Sequence, residues 1–200
     1  VTSDTIQSQA AGYLRDLGRI LEDLDLEIFG KIADLFLDAY HKGSRIFTMG
    51  NGGSAATASH LVCDLNKGCC LDLAKKFKVL CLNDNLPTVM AVANDIAYRE
   101  VFRVPLQNFF VPGDLVLGIS GSGNSENVLR AIGWAKDNGG LTIGLCGFGG
   151  GRLAKMVDVA LVVPSNDMQK VEDVHLVVCH MLMQALFRGL HPEKGANPCD

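Results

Sequence analysis

The sequence predicts an α/β fold organised around an open parallel sheet, and two observations lead there. Five short, largely apolar runs recur along the chain, each separated from the next by a helical segment. Strands that alternate with helices and lack a polar face belong to a parallel sheet covered on both sides. The chain also has 22 glycines against 9 Phe, 3 Tyr and 1 Trp. That balance fits many tight strand-to-helix turns better than the aromatic, alternating strands of a β-sandwich.

Taken in order, Thr2-Ser3-Asp4 reads as a helix start, and apolar residues follow at helical spacing from Ile6 through Tyr13, Leu17 and Leu21 to Leu24. A second helical pattern runs through Ile28, Ile32, Leu35, Phe36 and Ala39 and stops before Gly43. Strands are predicted over Arg45–Met49, Lys78–Leu82, Leu115–Ile119, Leu141–Leu145 and Val159–Val163. Helices over Ala56–Leu65 and Val128–Lys136 follow the first and third strands, and a last helix spans Met168–Arg188. The simplest parse is one domain over 1–190, with a helical arm (1–43) ahead of an α/β core (44–190) and a loose tail over 191–200 carrying Pro192, Gly195 and Pro198. The arm holds more apolar surface than one small sheet needs, which points to self-association.

Composition narrows the function classes. With 48% hydrophobic and 20% charged residues the chain can build a core and is not a disordered regulator. A net charge of −4, with no basic run longer than Lys75-Lys76, gives no electrostatic footprint for nucleic acid. No leader-like segment opens the sequence, and no apolar stretch reaches the roughly 18 residues that a membrane span requires. The seven cysteines are odd in number and contain no C-x-x-C pair, as expected of buried thiols in a reducing cytosol. The expectation is a cytoplasmic protein with no membrane partner.

Two loops look built for a phosphate. Gly50-Asn51-Gly52-Gly53-Ser54-Ala55 follows the first strand and opens a helix; Ser120-Gly121-Ser122-Gly123-Asn124-Ser125 does the same after the third. Glycines let the backbone approach an anion, the helix N-terminus offers unpaired N–H groups, and the serines add donors. Neither loop contains Lys or Arg, which suits a singly phosphorylated small molecule better than a triphosphate. The first loop superficially fits a dinucleotide fingerprint, but the acidic ribose partner due about twenty residues later is missing. A Walker A loop lacks its Gly-Lys-Ser/Thr, and neither Ser120 nor Ser122 has the spacing of a nucleophile elbow.

Acids and imidazoles fall at helical spacing nearby. His60 and Asp64 are i and i+4 on the helix opened by the first loop, so both project from one face. Glu172 and His180 lie two turns apart on the last helix, about 80° from each other around its axis. These groups can hold a divalent metal such as zinc or act as an acid/base pair. His175 lies on another side of the last helix and reads as structural; His41 and His191 read as surface or tail residues.

The stretch Gly50–His60, the dipeptide Asn94-Asp95, the segment Gly118–Ser125 and the helix Glu172–His180 resemble those of the bacterial phosphoheptose isomerases, members of the sugar isomerase (SIS) domain superfamily. The resemblance covers nearly the whole chain. It implies a flavodoxin-like sheet of five parallel strands and a homotetramer with sites near subunit interfaces. It also implies conversion of sedoheptulose 7-phosphate to a heptose 7-phosphate for surface-polysaccharide precursors. Carried over by position, Asn51, Gly52, Gly53 and Ser54 line the sugar. Ser120, Gly121, Ser122 and Ser125 form the phosphate loop, and Asn94-Asp95 contact substrate or a neighbouring subunit. His60 and His180 match the metal site, with Asp64 where the family has glutamate and Glu172 where it has glutamine. Gly121 replaces a usual threonine, Gln169 an often-seen aspartate, and Lys67-Gly68 stand where an arginine is expected.

The leading expectation is therefore an aldose–ketose isomerase. Asp64 (or Glu172) removes the proton beside the carbonyl, and His180 manages protons on the enediol oxygens. His60, Asp64, Glu172 and His180 hold a metal. The rival is a non-catalytic SIS-type sugar-phosphate binder or adaptor, which has no need of the acid/histidine set.

Overall fold

The computed structural model describes residues 3–193. Helix α1 (Ser3–Glu22) and helix α2 (Leu26–Lys42) lead into five strands: β1 (Arg45–Met49), β2 (Lys78–Cys81), β3 (Leu115–Ser120), β4 (Leu141–Cys146) and β5 (Val159–Val162). All pairings are parallel and the strand order is β2-β1-β3-β4-β5. This is the flavodoxin-like order, and its direction of progression reverses between β1 and β3, where ligands bind such sheets. Both glycine-serine loops leave the sheet at that point.

The apolar runs read as strands because successive residues bury on opposite faces. Ile46, Leu115, Leu117, Ile119, Ile143 and Leu145 pack in one core with α2, helix α3 (Gly53–Cys63) and helix α8 (Met168–Leu190). Phe47, Met49, Val116 and Cys146 face the other core. That second layer contains helices α4 (Leu86–Asp95), α5 (Arg103–Phe109), α6 (Glu126–Asp137) and α7 (Leu153–Met156). A Cβ on Gly118 would meet Val128 at 2.7 Å, so that glycine sets how closely α6 lies on β3.

Strand boundaries fall within a residue of those expected, and α2 ends at Gly43, whose φ of 72° closes the helix with a left-handed residue. The helix expected over Ala56–Leu65 starts earlier, at Gly53, and passes at Asp64 into a wider π turn over Asp64–Cys69. His191, expected at the surface, is instead 3% exposed, stacked on Phe187 with ring centroids 4.3 Å apart. The rest of the expected tail, 194–200 with Cys199, lies outside the described residues, as does Thr2 of the expected first helix start. The six described cysteines are unpaired; burial pushes Cys69, Cys146 and Cys179 up to about 12, while Cys63 is exposed.

Candidate active site

The two loops converge on one cavity of about 280 Å³. Asn51, Gly52, Gly53 and Ser54 line it from the first loop, and Ser120, Gly121, Ser122 and Ser125 from the second; Glu172 enters from α8. Two further lining residues, Ile119 and Met168, had no polar signature by which the sequence could single them out. There is no lysine or arginine in the lining.

Helix capping shows what the loops leave open. Side chains cap α2 (Asp25), α4 (Asn85) and α8 (Asp167), satisfying their first N–H groups. The caps of α3 and α6, Gly52 and Ser125, make no such bond; the third N–H of each helix is taken, Ala55 by the Asn51 and Gly52 carbonyls and Val128 by the Asn127 Oδ1, which leaves the first two N–H groups of each for a ligand. The serine loop is nonetheless fixed. Gly123, at φ 65°, donates its N–H to the Ser120 carbonyl at 2.9 Å, and Gly147 donates to the Gly121 carbonyl at 2.8 Å. The Ser120 and Ser125 hydroxyls lie 3.0 Å apart. In the first loop a Cβ on Gly50 would sit 2.6 Å from the Ser54 carbonyl oxygen, so only glycine makes that turn.

Asn51 is held by groups the sequence did not single out. It exchanges amide hydrogen bonds with Asn127 at 2.8 and 2.9 Å, and its Oδ1 accepts from the Tyr98 hydroxyl at 2.8 Å. One amide N–H remains to be offered to a ligand.

The helices α3 and α8 meet side by side and run in the same direction. Glu172 lies with its carboxylate against Gly53, and seven to eight residues further along both helices His180 Nε2 lies 2.9 Å from His60 Nε2. Asp64 Oδ2 is 3.3 Å from His60 Nε2, and that oxygen is buried without completing a hydrogen bond to a described residue. The ligand atoms of His60, Asp64 and His180 all lie within 4.8 Å of one another. Two imidazoles and one carboxylate around an orphaned buried oxygen suit a zinc-type ion that keeps an open coordination position. Glu172 stands outside this set. Two helical turns, ~12 Å, separate it from His180, so it belongs to the cavity and not to the ligand cluster.

Asn94 and Asp95 close α4 at the surface, where the Asn94 amide donates to Asp95 at 2.7 Å; neither lines the cavity. His175 is fully buried on α8. Gln169 donates its backbone N–H to the Asp167 cap at 3.1 Å.

The SIS domain family profile matches residues 12–147. The chain is 32% identical over 195 residues to the phosphoheptose isomerase of Trichlorobacter lovleyi, covering 92% of this chain and 95% of that protein. It is 34% identical to the phosphoheptose isomerase of Helicobacter pylori strain P12, again over 92% and 95%. The solved phosphoheptose isomerase from Neisseria gonorrhoeae superposes with a TM-score of 0.84 at 27% identity, over 90% of this chain and 98% of that one.

Proposed function

The chain belongs to the phosphoheptose isomerases of the SIS-domain family, and from that premise we propose how its site works. It is an aldose–ketose isomerase that converts sedoheptulose 7-phosphate to D-glycero-D-manno-heptose 7-phosphate through an enediol. The observation that carries the reading is a spacing. The anion-binding cavity opens at Gly53, and the His60/Asp64/His180 cluster lies seven or more residues further along α3, ~10 Å away. An extended seven-carbon sugar phosphate has comparable length, so its phosphate rests in the loops while its carbonyl end reaches the cluster.

The roles follow from the chemistry of each group. The free N–H groups of α3 and α6 and the hydroxyls of Ser120, Ser122 and Ser125 hold the phosphate, and this remote binding energy positions the sugar. Asn51 offers its remaining N–H to the sugar. Glu172, against Gly53 at the middle of this path, accepts from sugar hydroxyls. Asp64 takes the proton beside the carbonyl and His180 moves protons between the enediol oxygens. His60, Asp64 and His180 would hold zinc, which when bound supplies a Lewis acid for the carbonyl oxygen. Ligation occupies Asp64, so metal and base roles compete for the same carboxylate.

The exposed apolar residues Ile6 and Leu14 of α1 and Leu26 of α2 support assembly into a homotetramer, in which the surface pair Asn94-Asp95 meets a neighbouring subunit. The unpaired described cysteines support residence in the cytoplasm, and no helix among the described residues is long and apolar enough to cross a membrane. We place the product among precursors of surface polysaccharide. The reading is tested by a coupled assay on sedoheptulose 7-phosphate with wild-type chain and His180→Ala. Turnover by the first and its loss in the second, with an unchanged circular dichroism spectrum, is expected; an inert wild type overturns it.

A further inference from the structure

Two asparagines tie the glycine loop to the helix that follows the serine loop. Asn127 stands at the second position of α6, is 3% exposed and does not line the cavity. Its Oδ1 accepts from the Val128 N–H at 3.0 Å and from the Asn51 amide at 2.9 Å, while its Nδ2 donates to Asn51 Oδ1 at 2.8 Å. The backbone N–H of Val128 can only donate, so it admits one orientation of the Asn127 amide, with the oxygen turned toward it. That orientation dictates the Asn51 amide in turn: its oxygen faces Asn127 Nδ2 and the Tyr98 hydroxyl, its nitrogen Asn127 Oδ1. Reversing both amides would keep the pair between them but set the Asn127 NH2 against the Val128 N–H. The series therefore starts at a main-chain donor and ends at Asn51, which lines the cavity. With both lone pairs of its oxygen and one N–H engaged, Asn51 has only its second N–H to offer a ligand.

Asn127 also does for α6 what a capping serine does elsewhere. It satisfies the third N–H of the helix, which leaves the hydroxyl of Ser125, at the cap position, to Ser120 Oγ at 3.0 Å and to the cavity. We propose that Asn127 is a positioning residue: it does not meet the substrate, and by fixing the Asn51 amide it makes the glycine loop a donor toward a substrate oxygen. The inference rests on the sugar-phosphate reading of the cavity and adds a residue outside the lining on which binding depends.

The test is a double-mutant cycle on the full chain, with KM and kcat for sedoheptulose 7-phosphate from the coupled assay and Kd from titration calorimetry. Asn127→Asp keeps the oxygen that accepts from Val128 and puts its charge in the first turn of α6, a placement the helix dipole favours, so the melting temperature stays near that of wild type. Its second oxygen replaces the donor to Asn51, whose amide loses its fixed orientation. KM and Kd are expected to rise about tenfold, with kcat within about twofold of wild type. Asn51→Ala alone should have an effect at least as large. Adding Asn127→Asp to it should change KM by less than about twofold, because the one residue acts through the other. Tyr98→Phe, at an exposed position, removes only the second donor to Asn51 and should raise KM about two- to threefold, but not in the Asn51→Ala background. A merely structural Asn127 would lower the melting temperature and leave the KM of the folded enzyme alone. Repulsion between the new carboxylate and the phosphate would raise KM equally in both backgrounds. Either outcome overturns the proposal. If the wild type binds sedoheptulose 7-phosphate without turning it over, the isomerase reading fails and the cycle in Kd still decides this inference. If turnover is present and the cycle is additive, this inference fails and the isomerase reading stands.

Discussion

His60 and His180 are 120 positions apart in the chain, yet their Nε2 atoms lie 2.9 Å apart. Only one nitrogen of such a pair can carry the shared proton, so the arrangement wants either a neutral donor–acceptor pair or a cation between the rings. With Asp64 Oδ2 at 3.3 Å from the same His60 nitrogen, the three side chains stand close enough together to share a cation. Purified protein dialysed against zinc is expected to retain about one ion per chain by elemental analysis. His60→Ala and His180→Ala should each lower affinity by 10- to 100-fold or more, whereas Glu172→Gln should keep the stoichiometry. Loss of zinc from Glu172→Gln equal to that from His180→Ala would refute the three-ligand assignment.

Asp64 sits where α3 widens into a π turn, an irregularity that recurs at functional positions. Its amide N–H is shared between the carbonyls of His60 and Leu61, which fixes the carboxylate beside the imidazole. Asp64→Asn keeps the size and removes the base. The expected loss in kcat is on the order of 10²–10⁴-fold with a small change in KM, read from steady-state kinetics. A loss confined to KM would place Asp64 in binding instead.

The part of this site legible in the sequence was its local chemistry. Glycine-serine turns between apolar runs mark strand tips whatever packs around them, and His60 and Asp64 at i and i+4 had to share a helix face. What the sequence could not carry was the relation between helices. That α3 and α8 run side by side places His180 at His60 and, by the same geometry, leaves Glu172 two turns away at Gly53. Met168 lines the cavity for the same reason, one turn before Glu172, and a methionine at helical spacing gives no sign of that. Helical segments were expected between all the strands, but the bounds of α4, α5 and α7 stayed hidden because these helices are brief and held by packing more than by periodicity. His191 is buried because Phe187, one turn earlier, stacks on it.

Glu100, in the single turn Tyr98–Glu100, is 4% exposed and faces three guanidinium groups: Arg103 at 2.5 Å, Arg130 at 2.6 Å and Arg99 at 3.7 Å. Burial alone would raise its carboxyl, but the hydrogen bond and charge of Arg103, joined by Arg130, outweigh that and hold it below the usual range. The cluster clamps this turn, and thus Tyr98 with its bond to Asn51, onto α6. Glu100→Gln is expected to cost about 3 kcal/mol in urea denaturation, at the low end for a broken buried pair because Arg99 and Arg130 can turn to water. A cost below about 1 kcal/mol would show that the turn is held by apolar packing alone.

Gly50 and Gly53 should respond differently to the same change. A Cβ on Gly50 meets the Ser54 backbone at 2.6 Å, which cannot move without unmaking the turn, whereas the nearest atoms to a Cβ on Gly53 are the carboxylate end of the Glu172 side chain, at 2.4 Å. Gly50→Ala should therefore lower the melting temperature clearly. Gly53→Ala should leave it nearly unchanged and raise KM by displacing Glu172 from the cavity. Comparable melting temperatures for the two variants would contradict the turn geometry assigned to Gly50.

His175 gives the fold a built-in sensitivity to acid. Its ring is fully buried, and neither nitrogen completes a hydrogen bond to a described residue. Burial drives its pKa from 6.5 down to about 4, only partly offset by the backbone of Cys146. Between those two values the unfolded chain binds the proton and the folded one does not, so stability rises with pH across the window and falls on acidification through it. Going from pH 7 to pH 4 should cost roughly 3 kcal/mol from this group alone. The carboxyls of Glu100, Asp158 and Asp167, held below their ordinary values, add their own losses chiefly at lower pH, so urea midpoints from pH 7 to pH 5, compared between wild type and a His175 variant, read the imidazole. His175→Leu should flatten that slope and, because no completed hydrogen bond is lost, leave stability at pH 7 equal or higher. An unchanged slope in the variant would assign the acid sensitivity to other groups.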